Sequence, residues 1–320
     1  MPYNSIVDRT DAASLIPDNV ARDIVKGVAA TNPLLQLARR LPDMPTSRTR
    51  MPVLSAFATA YFVSGDSGLK QTSEVAWANK YIDAEELAVI VPIPEAVLDD
   101  AGYDIWAEVR PEIVNAINFA LNRAVLFGTG IPASWTTNMG GAGLLAVITT
   151  AGNAVDSSVH TGDLYDEIMG PTGVIAKVEE DGFMVDGHIA SLSLRGALRG
   201  LRDGLTGQPI FVNTMQEATR YALDGAPVYF PTDGSIDPAV ASLFSGQWDQ
   251  LVWAMRQDIT FKILDQAVLT DAAGLVIYNL PQQDMVALRA TMRIGFALPN
   301  PISRVNQVAA TRCAFAALVP

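Results

Sequence analysis

Residues 283–299 read QDMVALRATMRIGFALP. Val286, Leu288, Ala290, Met292, Ile294 and Phe296 recur at every second position, with Arg289, Thr291 and Arg293 between them. Period two belongs to a β-strand, since successive side chains of a strand point to opposite faces. A strand filling this stretch is about twice the usual 5 to 6 residues, too long for a small compact sheet unless part of it projects. One face therefore needs a core along its whole length. The other offers two guanidinium groups to a neighbour.

Composition narrows the setting. Apolar residues are 49% of the 320 and charged residues only 18%, below the quarter or so common in soluble domains. A chain with so little charge to coat itself is expected to hide surface against further copies of itself. No apolar run reaches the roughly 18 residues of a membrane span; Leu87–Ile93 and Ala314–Val319 are strand-length, so no membrane partner is expected. The lone Cys313 rules out an internal disulfide, and no secretion pattern follows Met1, which together suit a reducing cytosol. The net charge of −12 is uneven: residues 1–50 carry seven basic groups against five aspartates, leaving −14 for the rest. Such acidity argues against wrapping nucleic acid through phosphate contacts. A container around a genome needs none.

Along the chain, residues 1–50 hold two short amphipathic pieces, Pro17–Ala29 and Pro33–Leu41, punctuated by prolines 17, 33, 42 and 45, and they read as an extended arm. Alternation over Met51–Val63 and Glu74–Ile82 predicts two strands joined by the polar loop Ser64–Ser73. A two-stranded hairpin is marginal alone, so Tyr61, Trp77 and Tyr81 are candidate anchors on a partner surface. A further strand is expected over Leu87–Ile93. From Asp104, Ile105, Val109, Ile113, Ile117, Leu121 and Val125 fall at four-residue spacing and predict the longest helix, to Phe127, closed by Gly128-Thr129-Gly130 and kinked or late-starting near Pro111. Helices are expected over Leu164–Asp181 and Gly187–Gly204. Strand material lies in Tyr221–Phe230 and Gln250–Leu264.

Enzymatic chemistry finds little support. Gly65-Asp66-Ser67-Gly68 matches the sequence around a chymotrypsin-like serine nucleophile, yet His160 and His188 both follow it, against that family's order. Gly, Asp and Ser also form turns in their own right, so a turn is preferred and a serine hydrolase using Ser67 is the remote alternative. Two histidines and one cysteine without ligand spacing give no metal site. Gly140-Gly141-Ala142-Gly143 lacks both GxGxxG spacing and a phosphate-loop lysine, so it reads as a flexible connection and no cofactor is expected. Glu85-Glu86, Asp99-Asp100 and Glu179-Glu180-Asp181 read as solvated carboxylates. Arg195, Arg199 and Arg202 read as a helix face paired to acidic neighbours rather than to DNA.

Taken in order, several segments resemble the major capsid proteins of tailed bacteriophages of the Hong Kong 97 type. SLIPDNVARDIVKG and NPLLQLARR are similar to the arm, EELAVIVPIPEAVLDD to the lead into the spine helix, and LNRAVLFGTG to the end of that helix. EDGFMVDGH, LRGLRD and GQPIF are similar to the axial lobe; LDGAPVY and SGQWDQLVWAMRQDITF resemble its later strands, and A-x-R-x-x-x-R-x-G-F the last long strand. Pro94 and Pro111 depart from the pattern.

The resemblance implies an α+β subunit with no active site, whose copies form pentamers and hexamers of an icosahedral shell around double-stranded DNA. The implied parts are an N-terminal arm (1–50), an extended hairpin (51–88), a peripheral domain (89–139 and 262–302) and an axial domain (140–261 and 303–320). Scaffolding, portal and possibly decoration proteins are the implied partners. Roughly 100 residues of helical, charged scaffolding sequence that many relatives carry ahead of the arm are absent, so a separate scaffolding protein or none is expected. Arg289 and Arg293 are assigned to contacts between subunits, where guanidinium groups pair bidentately with carboxylates. Some relatives join a hairpin lysine to a neighbour's asparagine; Lys70 and Lys80 with Asn279 and Asn300 are the available residues, and the sequence shows no buried carboxylate to promote the bond. An encapsulin-like compartment shares the implied fold and is the nearer alternative.

Overall fold

The structure is a computed structural model and describes residues 32–63, 70–100, 105–159, 163–201, 221–271 and 273–320. The pieces expected at 17–29, the loop residues 64–69 with Ser67, the cap Asp104, His160 and Arg202 lie outside them. In chain order the elements begin with α1 (Pro33–Leu37), β1 (Arg39–Arg40), β2 (Arg48–Ala56), β3 (Ala76–Pro94), α2 (Glu95–Asp100) and α3 (Ile105–Asn122). Then come α4 (Ala133–Met139), α5 (Leu144–Ala151), β4 (Ala154–Asp156), α6 (Leu164–Met169), α7 (Val174–Glu180), β5 (Gly187–Ala190) and α8 (Leu192–Gly200). The remaining strands are β6 (Ala222–Leu223), β7 (Ala226–Tyr229), β8 (Leu243–Gly246), β9 (Val252–Leu264), β10 (Val268–Thr270), β11 (Val276–Asn279), β12 (Met285–Ala297) and β13 (Phe315–Val319). No helix among the described residues is long and apolar enough to cross a membrane.

Of the described residues, 86–117 and 257–293 form one unit and 32–85, 118–256 and 294–320 the other. Strands β3, β9 and β12 have residues in both, within a sheet ordered β1-β9-β12-β3-β2.

In the first unit, β12 keeps the period read from its sequence. Leu288, Ala290 and Met292 are buried, while Arg289, Thr291 and Arg293 on the other face are half-buried. The Thr260 and Thr291 hydroxyls meet at 2.8 Å, and the Glu95 N–H donates to the Asp284 carbonyl at 2.9 Å. Ile113 and Ile117 of α3 are buried. The helix already runs at Ile105 and contains Pro111, so it does not start late. A 19-residue β3 replaces the two separate strands expected over 74–82 and 87–93. The strand runs on without a break through Asp83–Glu86, although the burial alternation lapses there.

In the second unit, α3 ends in a π-turn, Arg123–Phe127, rather than as an α-helix reaching Phe127. The wider turn lets three consecutive residues, Ala124, Val125 and Leu126, all be buried. Gly128 closes it at φ 72°, and there the backbone meets Gly143 at φ 87°. A Cβ on Gly128 would lie 2.1 Å from the Ala142 carbonyl oxygen, and one on Gly143 would lie 2.4 Å from the Gly128 nitrogen. Residues 140–143 are thus a tight backbone crossing that opens α5, not the flexible connection their glycines suggested.

A six-stranded sheet, β4-β13-β8-β5-β7-β6, forms the core of this unit. Trp248, Phe244 and Phe315 are fully buried, with the Trp248 and Phe315 rings edge-on at 5.2 Å. Each such side chain contributes about 1.5–3 kcal/mol by leaving water. The helix expected over 164–181 is two, α6 and α7, because Gly170-Pro171 interrupts it. Residues 187–190 are the strand β5 rather than the first turn of a helix. Ser191 sets that boundary: its hydroxyl accepts from the Leu194 N–H at 3.3 Å and caps α8. Around Asp224-Gly225, both at positive φ, residues 222–229 fold into the short β6–β7 hairpin.

Candidate assembly surface

The register of β2 and β3 decides which hairpin side chains stand together. Arg48 faces Asp83, Arg50 faces Tyr81 and Leu54 faces Trp77, so the six share one side of the ribbon. The Arg48 guanidinium lies 4.1 Å over the Tyr81 ring and 3.4 Å from the Asp83 carboxylate. Trp77, opposite Leu54, is 66% exposed on the same side, and Arg50 beside Tyr81 is exposed too. Lys80 pairs with Met51 and points to the opposite face with Val53 and Ala78. The predicted anchors therefore divide: Trp77 and Tyr81 belong to a basic, aromatic face, and Lys80 does not.

Further out, the limbs leave regular pairing but stay joined. The Tyr61 hydroxyl donates to the Gln71 carbonyl at 3.0 Å and accepts from the Gln71 N–H, and the Thr59 N–H donates to Ser73 Oγ at 2.6 Å. Among the described residues Phe62 is fully exposed, and Lys70 is exposed as well. At the base, the Ile302 N–H donates to the Leu54 carbonyl at 3.4 Å and Arg304 lies 4.6 Å over Phe57.

The arginines differ in their surroundings. Arg293 sits 3.6 Å from Glu86, whereas Arg289 has no carboxylate partner among the described residues. Nε of each is buried without a hydrogen-bond acceptor. Arg195 is stacked 4.6 Å over Tyr221 and 5.9 Å from Phe230, so its partners include two rings. Among the described residues no carboxylate forms an ion pair with it. Arg199 stays exposed.

A polar cluster that sequence reasoning missed fastens the segment 299–313. Asp181 is 5% exposed, unlike the solvated carboxylate expected of it. Its carboxylate accepts from Asn153 Nδ2 at 2.9 Å, Asn306 Nδ2 at 2.6 Å and the Cys313 N–H at 2.9 Å, and its carbonyl accepts from Ser303 Oγ at 2.7 Å. Buried Arg312 donates to the side chain and carbonyl of Asn300 and to the Asn306 carbonyl. Asn300 returns a bond to the Arg312 carbonyl, so both ends of its amide are used within the subunit and it is no free acceptor for a lysine. The Asn279 side chain makes no hydrogen bond among the described residues, while its backbone N–H donates to Gln283 Oε1 and its carbonyl accepts from the Gln283 N–H. The remaining acidic runs are ordinary: Glu85 accepts from Ser134 and Glu180 pairs with Lys177.

Burial pushes the Cys313 thiol up to about 12. No group of three or more His, Cys, Asp or Glu that would hold a metal ion occurs among the described residues. His188, fully buried in β5, has Nδ1 2.7 Å from Ser245 Oγ and Nε2 3.2 Å from the Leu223 carbonyl. The carbonyl can only accept, so Nε2 carries the proton and the serine donates to Nδ1. Desolvation lowers its pKa to about 4, outweighing the Leu223 bond and Asp224, which raise it. The unfolded chain then takes up a proton near pH 6.5 that the fold refuses. His188 therefore favours the fold fully above pH 6.5, and that contribution declines as pH falls toward 4, by up to about 3 kcal/mol. His188→Gln is expected to flatten the melting-temperature profile between pH 6.5 and 5; an unchanged slope would remove His188 from the account.

Among the described residues, the hairpin bares an aromatic face and Arg289 on the long strand has no carboxylate partner. The sequence matches the phage capsid family over residues 12–303. The chain belongs to that family. Its relatives include the major capsid protein of Staphylococcus phage 80alpha, 25% identical over 280 residues that cover 87% of this chain and 79% of that protein. A solved structure from Microbacterium phage Oxtober96 is 32% identical with a TM-score of 0.77, covering 99% of this chain and all of the other. One from Mycobacterium phage Cain is 30% identical at 0.76, covering 99% of each. The capsid chain thus has the mixed α+β fold of the Hong Kong 97 type. Proteins of this capsid family are structural and self-assemble into shells, which places the chain in a virion capsid.

Proposed function

We propose that the chain is the major capsid protein of a tailed phage, whose copies close as pentamers and hexamers into an icosahedral shell around double-stranded DNA. The observation that carries this reading is the family match over residues 12–303. The hairpin supports it, because Trp77 at 66% and Phe62, fully exposed, have no covering surface among the described residues. Tyr61, Lys70, Trp77, Tyr81, Arg289 and Arg293 contact neighbouring copies, Lys80 from the other face of the ribbon. Residues 1–50 act as an arm and 51–88 as the extended hairpin. Residues 89–139 and 262–302 act as the peripheral domain, with 140–261 and 303–320 as the axial domain. The chain has no catalytic role in this scheme. It confines DNA without specific contacts, as the −14 balance beyond residue 50 favours. Assembly takes place in the host cytoplasm with scaffolding and portal proteins, and decoration proteins are further partners.

Electron microscopy of the purified protein, sized by light scattering in the same buffer, tests this. Closed shells or five- and six-membered rings are expected; a uniform monomer that stays monomeric with the phage's scaffolding protein present would overturn it. Trp77→Ala is expected to change subunit stability by less than about 0.5 kcal/mol, as befits an exposed site. Closed particles should nonetheless fall at least about tenfold, the equivalent of 1.4 kcal/mol per contact. Particle yield equal to that of the unmodified chain would show that Trp77 is no anchor.

A further inference from the structure

Two surfaces without a partner among the described residues have opposite character. Under the base of the β2–β3 hairpin lies a groove of about 340 Å³, walled by Val53, Ala78, Met139, Val147 and Ile302. It is lined by the cations Lys80 and Arg312 and by no carboxylate. Arg312 is already held by Asn300 and Asn306, whereas Lys80 makes no ion pair among the described residues. In a chain of net charge −12, such a groove selects an apolar segment that brings its own acid.

The β10–β11 hairpin is a segment of that kind. Val268, Leu275, Val276, Ile277 and Tyr278 are 39–69% exposed on it. Residues 265–284 contain Asp265, Asp271 and Asp284 and no lysine or arginine. A two-stranded ribbon with bare apolar side chains is marginal in water and needs cover. At its tip, Asp271 Oδ1 accepts from the Ala273 and Leu275 N–H groups at 2.9 and 2.8 Å. That turn sets a carboxylate beside the most exposed leucine. We infer that the β10–β11 hairpin of one copy seats in the groove beneath the β2–β3 hairpin of a second copy, with Leu275 entering the groove and Asp271 meeting Lys80. Different surfaces of the two copies meet, so the contact is heterologous and propagates into rings or shells instead of closing a pair. This rests on the capsid reading.

Mixed particles provide the test. Lys80→Cys and Leu275→Cys chains are co-expressed with an excess of unmodified chain, so that particles form even if either substitution weakens assembly. The native Cys313 is buried and does not compete. After mild oxidation, mass spectrometry is expected to find a disulfide joining position 80 of one chain to position 275 of another, absent from particles carrying only one of the two variants. Normal particles without that link, or with position 80 linked to a different protein, would overturn the contact and leave the capsid reading standing. No particles even from the unmodified chain with its scaffolding protein would sink both. As a second readout, Lys80→Glu should lower particle yield by at least about tenfold; an unchanged yield counts against the contact.

Discussion

Gly143→Ala lowers the stability of the capsid subunit by about 2–6 kcal/mol and leaves little folded protein at 37 °C. Two independent penalties add. At φ 87° an L-residue is strained, by roughly 1–3 kcal/mol. The new methyl would also stand 2.4 Å from the Gly128 nitrogen and 2.8 Å from its Cα. Both are backbone atoms, which cannot swing aside as a side chain end can, so overpacking contributes roughly another 1–3 kcal/mol. Gly152→Ala is the control, because that residue has a similar φ of 85° and nothing within 4 Å of its missing Cβ. It should cost only a backbone share, and a smaller one, since its ψ of 17° is left-handed helical whereas Gly143 has ψ 169°, a region essentially restricted to glycine. Urea unfolding of the two variants separates the terms; equal losses would show that the crossing of the 128 and 143 loops relaxes freely.

Asp181→Ala is the second large effect, about 3–5 kcal/mol. The substitution strips acceptors from Asn153, Asn306 and the Cys313 N–H, all in or near the core. Each buried donor left unmet costs roughly 1–3 kcal/mol. Arg312, 5% exposed, also loses the one charge that counters its burial, which otherwise lowers its pKa. Asp181→Asn keeps the shape and one acceptor and should cost less. Thermal melting in the assembled and unassembled states is the measurement. The 299–313 segment also holds the base of the hairpin, through Ile302 to Leu54 and Arg304 over Phe57. Particle yield should therefore fall with stability. Normal yield from a strongly destabilised Asp181→Ala subunit would show that the segment does not position the hairpin.

Much of the fold was legible because its signals are periodic and local. The alternation in β12 survives from Leu288 to Arg293 residue by residue, and the four-residue spacing of Ile113, Ile117 and Leu121 marks the face that α3 buries. Misjudged boundaries have local causes of a finer kind. A serine cap at Ser191 ended a strand inside an apparent helix, and a Gly-Pro pair at 170–171 cut another helix in two.

The candidate site was legible only as a list of residue types. Trp77, Lys80 and Tyr81 are near neighbours in sequence, yet the pleat of β3 places Lys80 away from the other two. Their real companions, Arg48 and Arg50, come from β2 and are fixed by cross-strand register. Asp181 looked like one acid of a solvated run; its role depends on Ser303, Asn306 and Cys313, more than 120 residues away.

By itself the sequence determined the long strand, the spine helix, the hairpin, the absence of a membrane-length run and, through the order of its motifs, the capsid family. These follow from side-chain periodicity, turn chemistry and composition, which act over a few residues. The tertiary structure alone decided which hairpin side chains share a face, where two glycine loops cross without room for a methyl, and how one buried aspartate clips a distant segment. Those depend on close packing and on the need to satisfy each buried polar group, and both are set by residues far apart in the chain.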